Sequence, residues 1–173
     1  TGFLMMPVLR RTWAPCGATP TLPVRARSHE KVSGIGALIV SPRRRRLTLA
    51  LALHPQRNIR GPQVLRFLRH LARHVRGPFV LLWDRGRSHQ HKLVRAWLTA
   101  HPRCQIVWFP PYAPDLNPVE LLWSYLKYGR LANFAPDTTD DIQVTVSRER
   151  RRVARHPELL RSFFRHSALP FRV

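Results

Sequence analysis

Acids are scarce in this chain. Nine Asp and Glu stand against thirty Lys and Arg, a formal net charge of +21, so an acid at the end of a buried strand needs something to stabilise it, and a bound cation is one candidate. Asp84 follows the apolar run Phe79 to Trp83 directly, where ligands collect in open sheets containing parallel strands. Glu120 lies in the stretch Asp115-Leu116-Asn117-Pro118-Val119-Glu120. Facing carboxylates suit Mg²⁺ or Mn²⁺, and two such ions held ~3.5–4 Å apart activate a water and stabilise the leaving oxygen in phosphodiester cleavage. Each acid also has a plainer reading. Asp84 caps its turn or pairs with Arg85 or Arg87, and Glu120, at the third helical position after an Asn117 cap and Pro118, closes a capping box.

The elements that must position these residues follow from patterning. Thr1 to Pro23, with its prolines and Gly17, reads as a short strand and a turn-rich connection. Val32 to Val40 and Leu47 to Leu53 form an antiparallel hairpin whose tip carries Arg43, Arg44, Arg45 and Arg46. Val64, Phe67, Leu68, Leu71, Ala72 and Val75 recur at helical spacing between Gly61-Pro62 and Gly77-Pro78, with Arg66, Arg69, Arg73 and Arg76 on the other face. Phe79 to Trp83 is expected to be a central strand buried on both faces. A helix over His91 to Ala100 and a strand over Gln105 to Phe109 complete a βαβ unit with parallel pairing. After the loop Pro110 to Pro118, a helix runs to about Lys127, with Val119, Leu122, Trp123 and Leu126 as its apolar stripe and Glu120, Ser124 and Lys127 on a polar face. Asp137 to Val173 is helical and basic with a break near Pro157. The expected division is a core over 1–135 and a basic helical extension over 136–173.

At 173 residues the chain is long enough for one real core. Hydrophobic residues are 44% of it, with five Trp and eight Phe, so it is no disordered basic tail. The basic excess points to nucleic acid. Twenty-seven of the thirty cations are Arg, which suits forked contacts to phosphate and equally fits a GC-rich genome. Cys16 and Cys104 lack CxxC spacing, which fits a reducing compartment. His89 and His91 are two apart, a poor spacing for a zinc site with Cys104. No apolar run nears the ~18 residues of a membrane span. The five Trp read as core or packing residues, with stacking on unpaired bases the alternative for one or two of them; the arginine runs read singly as solvated charge and together favour non-specific phosphate contact.

One stretch carries a more specific signal. Phe-Val-Leu-Leu-Trp-Asp84, then His89, then Phe-Pro-Pro-Tyr-Ala-Pro-Asp-Leu-Asn-Pro-Val-Glu120-Leu-Leu-Trp-Ser-Tyr-Leu-Lys127 resembles the catalytic region of the DDE transposases of mariner-like elements and related bacterial insertion sequences. The 35 residues between Asp84 and Glu120 match that family's interval between its second and third acids. Thr1-Gly2-Phe3, followed by Arg11-Thr12-Trp13-Ala14-Pro15 and Gly17, resembles the segment after its first aspartate. The resemblance covers about Thr1 to Phe134.

It implies an α/β, RNase H-like mixed sheet with flanking helices, using three acids to hold two divalent ions, Mg²⁺ or Mn²⁺. The implied activity is cleavage at transposon ends and joining of the 3′-hydroxyl to a target strand, in a bacterial cytoplasm on nucleoid DNA, with a homodimer compatible and no membrane involved. Asp84 and Glu120 become catalytic metal ligands. His89, Arg85, Arg87, Arg43 to Arg46 and Lys127 become nucleic-acid contacts. By this match the first aspartate falls just before Thr1, so the chain alone is expected to be catalytically incomplete. Two further departures follow: Arg85-Gly86-Arg87 sets guanidinium groups beside the second acid, where they compete with a cation, and the helix-turn-helix modules that read terminal repeats are missing. The alternative is a non-catalytic basic DNA-binding remnant.

Overall fold

Alternation along the hairpin decides which side of the sheet each helix covers. The structure, a computed structural model, describes residues 1–24, 30–43, 46–171 and 173. Strand β2 (Lys31–Val40) pairs antiparallel with β3 (Leu47–Pro55), and β1 (Gly2–Leu4) pairs antiparallel with β2 on its other edge. Their register sets Leu38 and Val40 opposite Leu49 and Leu47, with Val32 and Leu53 on the same face, while Ile35 faces the other way.

The first face carries the larger core. Helix α3 (Pro118–Ser124) continues as a wider π-helical segment, Tyr125–Arg130. With α4 (Thr139–Ala154) and α5 (Pro157–Arg165) it buries Leu122, Trp123, Leu126, Ile142, Val146, Val153, Leu160, Phe163 and Phe164 against Phe3, Val32 and Leu47. The C-terminal helices therefore complete the same core as β1 and β2. An ion pair between exposed Arg130 and buried Glu149, at 2.8 Å, ties the π segment to α4.

On the second face, α1 (Gly61–His74) and α2 (Lys92–Thr99) enclose Val64, Leu68, Val94 and Trp97 against Phe79, Leu81, Trp83 and Ile35. Strand β4 (Phe79–Trp83) pairs parallel with β5 (Cys104–Trp108), as expected of the βαβ unit. The expectation that β4 is buried on both sides fails. Val80 is 57% and Leu82 40% exposed, and Val107 of β5 is 50% exposed, because α3 to α5 lie over β2 and β3 and leave that side of β4 and β5 open. A continuous apolar run reports only that a strand is present, whatever covers its second face. The mixed pairing is also split: among the described residues the antiparallel set β1–β2–β3 and the parallel pair β4–β5 are separate ladders. The three residues of β1 spend their ladder bonds on β2. No helix among the described residues is long and apolar enough to cross a membrane.

Candidate active site

Strand β4 ends at Trp83, and Asp84 opens a tight turn. Gly86 N–H donates to Asp84 Oδ1 at 2.8 Å, and His89 N–H to the Gly86 carbonyl at 2.9 Å. The turn brings the His89 ring back over Trp83, stacked at 4.2 Å between centroids, with Nδ1 2.7 Å from Asp84 Oδ1. An imidazole nitrogen that faces a carboxylate carries its hydrogen there, so His89 donates. Neither Arg85 nor Arg87 is the ion-pair partner of Asp84; His89 is. The Arg85 Nε–H turns to the Phe109 carbonyl at 3.4 Å, and Arg87 is exposed. The hydrogen bond from His89 is the main force holding Asp84 below the usual carboxylate range; partial burial opposes it, and the charge of His89 and the Gly86 amide add to it. A Cβ at Gly86 would lie 2.9 Å from Asp84 Oδ1, so a side chain there would displace the carboxylate. Oδ1 thus has two donors, while about half of the side chain faces solvent.

Glu120 lies in the first turn of α3. Asn117 caps α3 by accepting from Val119 N–H at 3.2 Å, and Pro118 takes the first helical position. The expected capping box is absent: Asn117 N–H goes to the Pro114 carbonyl instead, which leaves the Glu120 carboxylate exposed and outside the cap. The backbone nitrogen of Thr1 donates to the Gly34 carbonyl at 3.0 Å. Lys127, on the polar side of the same helix, lies 5.9 Å over the Phe3 ring. Burial depresses its pKa and Glu120 counteracts the effect.

Residues 1–143 match the profile of the family described as DDE superfamily endonuclease. The chain belongs to this family.

Solved structures agree at the level of fold. The Mos1 strand transfer complex superimposes with a TM-score of 0.65 at 17% identity, over 96% of this chain and 48% of that one. The Mos1 mariner paired end complex with Mn gives 0.62 at 15%, over 96% and 49%. The catalytic domain of Mos1 mariner transposase gives 0.56 at 19%, over 78% and 74%. The fold is therefore RNase H-like. This DDE-family chain spans about half the length of the Mos1 chain in the first complex. No curated protein sequence matches it.

Within the DDE-family chain the other expected contacts are dispersed. Arg43 and Arg46 are exposed at the hairpin end, and Arg44 and Arg45 lie outside the described residues. Among the described residues no three His, Cys, Asp or Glu converge as a metal-binding group. Cys104 is buried, and its thiol pKa is raised by that burial, which Arg103 opposes. Sequence reasoning missed two positioning features. Gly86 is signalled only by being a glycine two residues after the acid. Gly36 receives the Trp123 ring, whose atoms would lie 2.9 Å from a Cβ there, and so seats α3 on the sheet; an isolated glycine within a strand is the available signal.

Proposed function

We propose that the chain is the catalytic portion of a transposase, which cuts DNA at transposon ends and joins the freed 3′ ends to a target strand. Asp84 and Glu120 would hold Mg²⁺ or Mn²⁺. The observation that carries this reading is the family match over residues 1–143, within which Asp84, held by His89, ends β4 and Glu120, free of its cap, opens α3. Hard oxygen donors fit these ions, and the Mos1 complex described with Mn supports the choice. Such ions, when bound, activate water and stabilise a leaving oxygen.

The chain's own residues do the rest. His89 and the Gly86 amide hold Asp84 ionised and oriented. Glu120 stands free of its cap, Lys127 supplies a positive charge beside it, and Arg85, Arg87, Arg43 and Arg46 steady the DNA backbone. Bringing ends and target together suits a homodimer, at work on nucleoid DNA in a bacterial cytoplasm. A second reading, a DNA-binding remnant without metal chemistry, is favoured by Arg85 and Arg87, which follow Asp84 closely and compete with a cation for its charge.

Mn²⁺ titration followed by tryptophan fluorescence separates the two, since Trp83 adjoins Asp84. The parent is expected to bind weakly and Glu120→Gln to lose binding without loss of fold. Equal binding by both would leave only the second reading. Duplex affinity is expected to be salt-sensitive and nearly indifferent to sequence, and tight sequence-specific binding would contradict this.

A further inference from the structure

The two helical layers differ in charge. From Lys31 to Pro114 the chain carries sixteen Lys and Arg and one acid, Asp84; the other eight acids are Glu30 and those from Asp115 onward. Helix α1 contains no acid. Its apolar side, Val64, Phe67, Leu68 and Leu71, is buried, and Arg66, Arg69 and Arg73 emerge on the other side, with Arg76 just beyond the helix end, all exposed. Among the described residues none of these four has a carboxylate partner. Arg103 lies nearby but is committed elsewhere, donating to the carbonyls of Val75 and Gly77 at the end of α1. The opposite layer neutralises itself in part: α4 opens with Asp140 and Asp141, Arg130 and Arg148 share Glu149, and Arg161 pairs with Glu158.

A helix face meant only for solvent gains from mixed signs, and like charges at i, i+3 and i, i+4 cost a few tenths of a kcal/mol per pair. An acid-free arginine stripe becomes favourable when it meets a polyanion, whose counterions it releases. From Arg66 to Arg73 the rise is about 10 Å at ~1.5 Å per residue, the length of roughly three base pairs at ~3.4 Å each. Guanidinium forks match phosphate oxygens. A membrane surface fits less well, because the apolar side of α1 is already used in the core. On the same layer Lys92 of α2 is exposed as well.

We propose that the outer face of α1, formed by Arg66, Arg69, Arg73 and Arg76, is a second duplex-binding surface. It grips a DNA backbone on the side of the sheet opposite α3 and Glu120. This rests on the DNA-acting reading above and gives it a second location, so that one chain engages DNA at its acids and again behind its sheet.

The test is the dependence of duplex affinity on salt, measured by fluorescence anisotropy on a mixed-sequence duplex. Four proteins are compared: the parent; Arg66→Gln, Arg69→Gln, Arg73→Gln and Arg76→Gln combined; the same four positions changed to Lys; and a charge-matched control with Arg10→Gln, Arg11→Gln, Arg155→Gln and Arg165→Gln. Each phosphate contact contributes about 0.9 to the slope of log affinity against log salt. The α1 glutamine variant is expected to lower that slope by about 2–4 and the control by less than about 1, with the lysine variant close to the parent. Equal losses in the α1 and control sets would reduce the effect to net charge and overturn the proposal, as would an unchanged slope in the α1 set. If the fourfold variant is unstable, Arg69→Gln with Arg73→Gln gives the same comparison at about half the size. A parent that binds duplex with a slope indifferent to α1 sinks this inference alone. A parent with no duplex affinity sinks the DNA-acting reading too.

Discussion

At the scale of single residues, the pairing of Asp84 with His89 governs the site. The bond favours the ionised carboxylate, so its contribution to stability is present above the ordinary carboxylate range and is lost as pH falls through the depressed pKa of Asp84. His89→Ala is expected to move the Asp84 pKa back up toward its ordinary 3.8, as read from the carboxyl carbon shift in an NMR titration, while His89→Asn, which keeps a donor, moves it less. An unchanged Asp84 titration in the alanine variant would mean that the contact is not made in solution. Both acids stand out in the sequence, because so few are present and the motif around them is long. The partner of Asp84 does not. Arg85 and Arg87 are nearer along the chain, but the turn through Gly86 returns His89, five residues on, to the carboxylate, and no spacing rule for helices or strands announces such a turn.

Elements are held where they are by a few close approaches. Trp123 sits in the notch left by Gly36, and this contact fixes how α3, and with it Glu120, lies on β2. Gly36→Ala is expected to cost about 1–3 kcal/mol, the usual range for overpacking, in urea unfolding. Gly129→Ala, where nothing lies within 4 Å, should be near neutral; similar losses at both positions would contradict the notch. The elements themselves were largely readable, since the hairpin, the βαβ unit and the C-terminal helices all follow hydrophobic periodicity. Two features were not. The open side of β4 and β5 depends on where α3 to α5 pack, which is a tertiary matter. The widening of α3 into a π segment at Tyr125 leaves the i, i+3, i+4 pattern nearly intact, so periodicity does not reveal it.

At the scale of the molecule, an acid-poor half is folded against a helical half that holds most of the carboxylates. One consequence is a pH dependence of stability. His54 on β3 has its pKa lowered from 6.5, first by burial and then by Arg66 and Arg57. The unfolded chain therefore takes up this proton before the folded one does, and stability declines as pH falls from about 6.5 toward the lowered value. Urea midpoints at pH 7.5 and 5.5 should show this decline, and His54→Gln should lessen it; an equal decline in the variant would assign it elsewhere. The central claim is that Asp84 and Glu120 serve one ion site, and a double-mutant cycle on Mn²⁺ affinity tests it most directly. Asp84→Asn and Glu120→Gln are each expected to weaken binding by at least the ~10–100-fold that losing even an outer partner costs, and the double variant should lose no more than the worse single one. Full parental affinity in either single variant, or losses that simply add, would contradict a shared site.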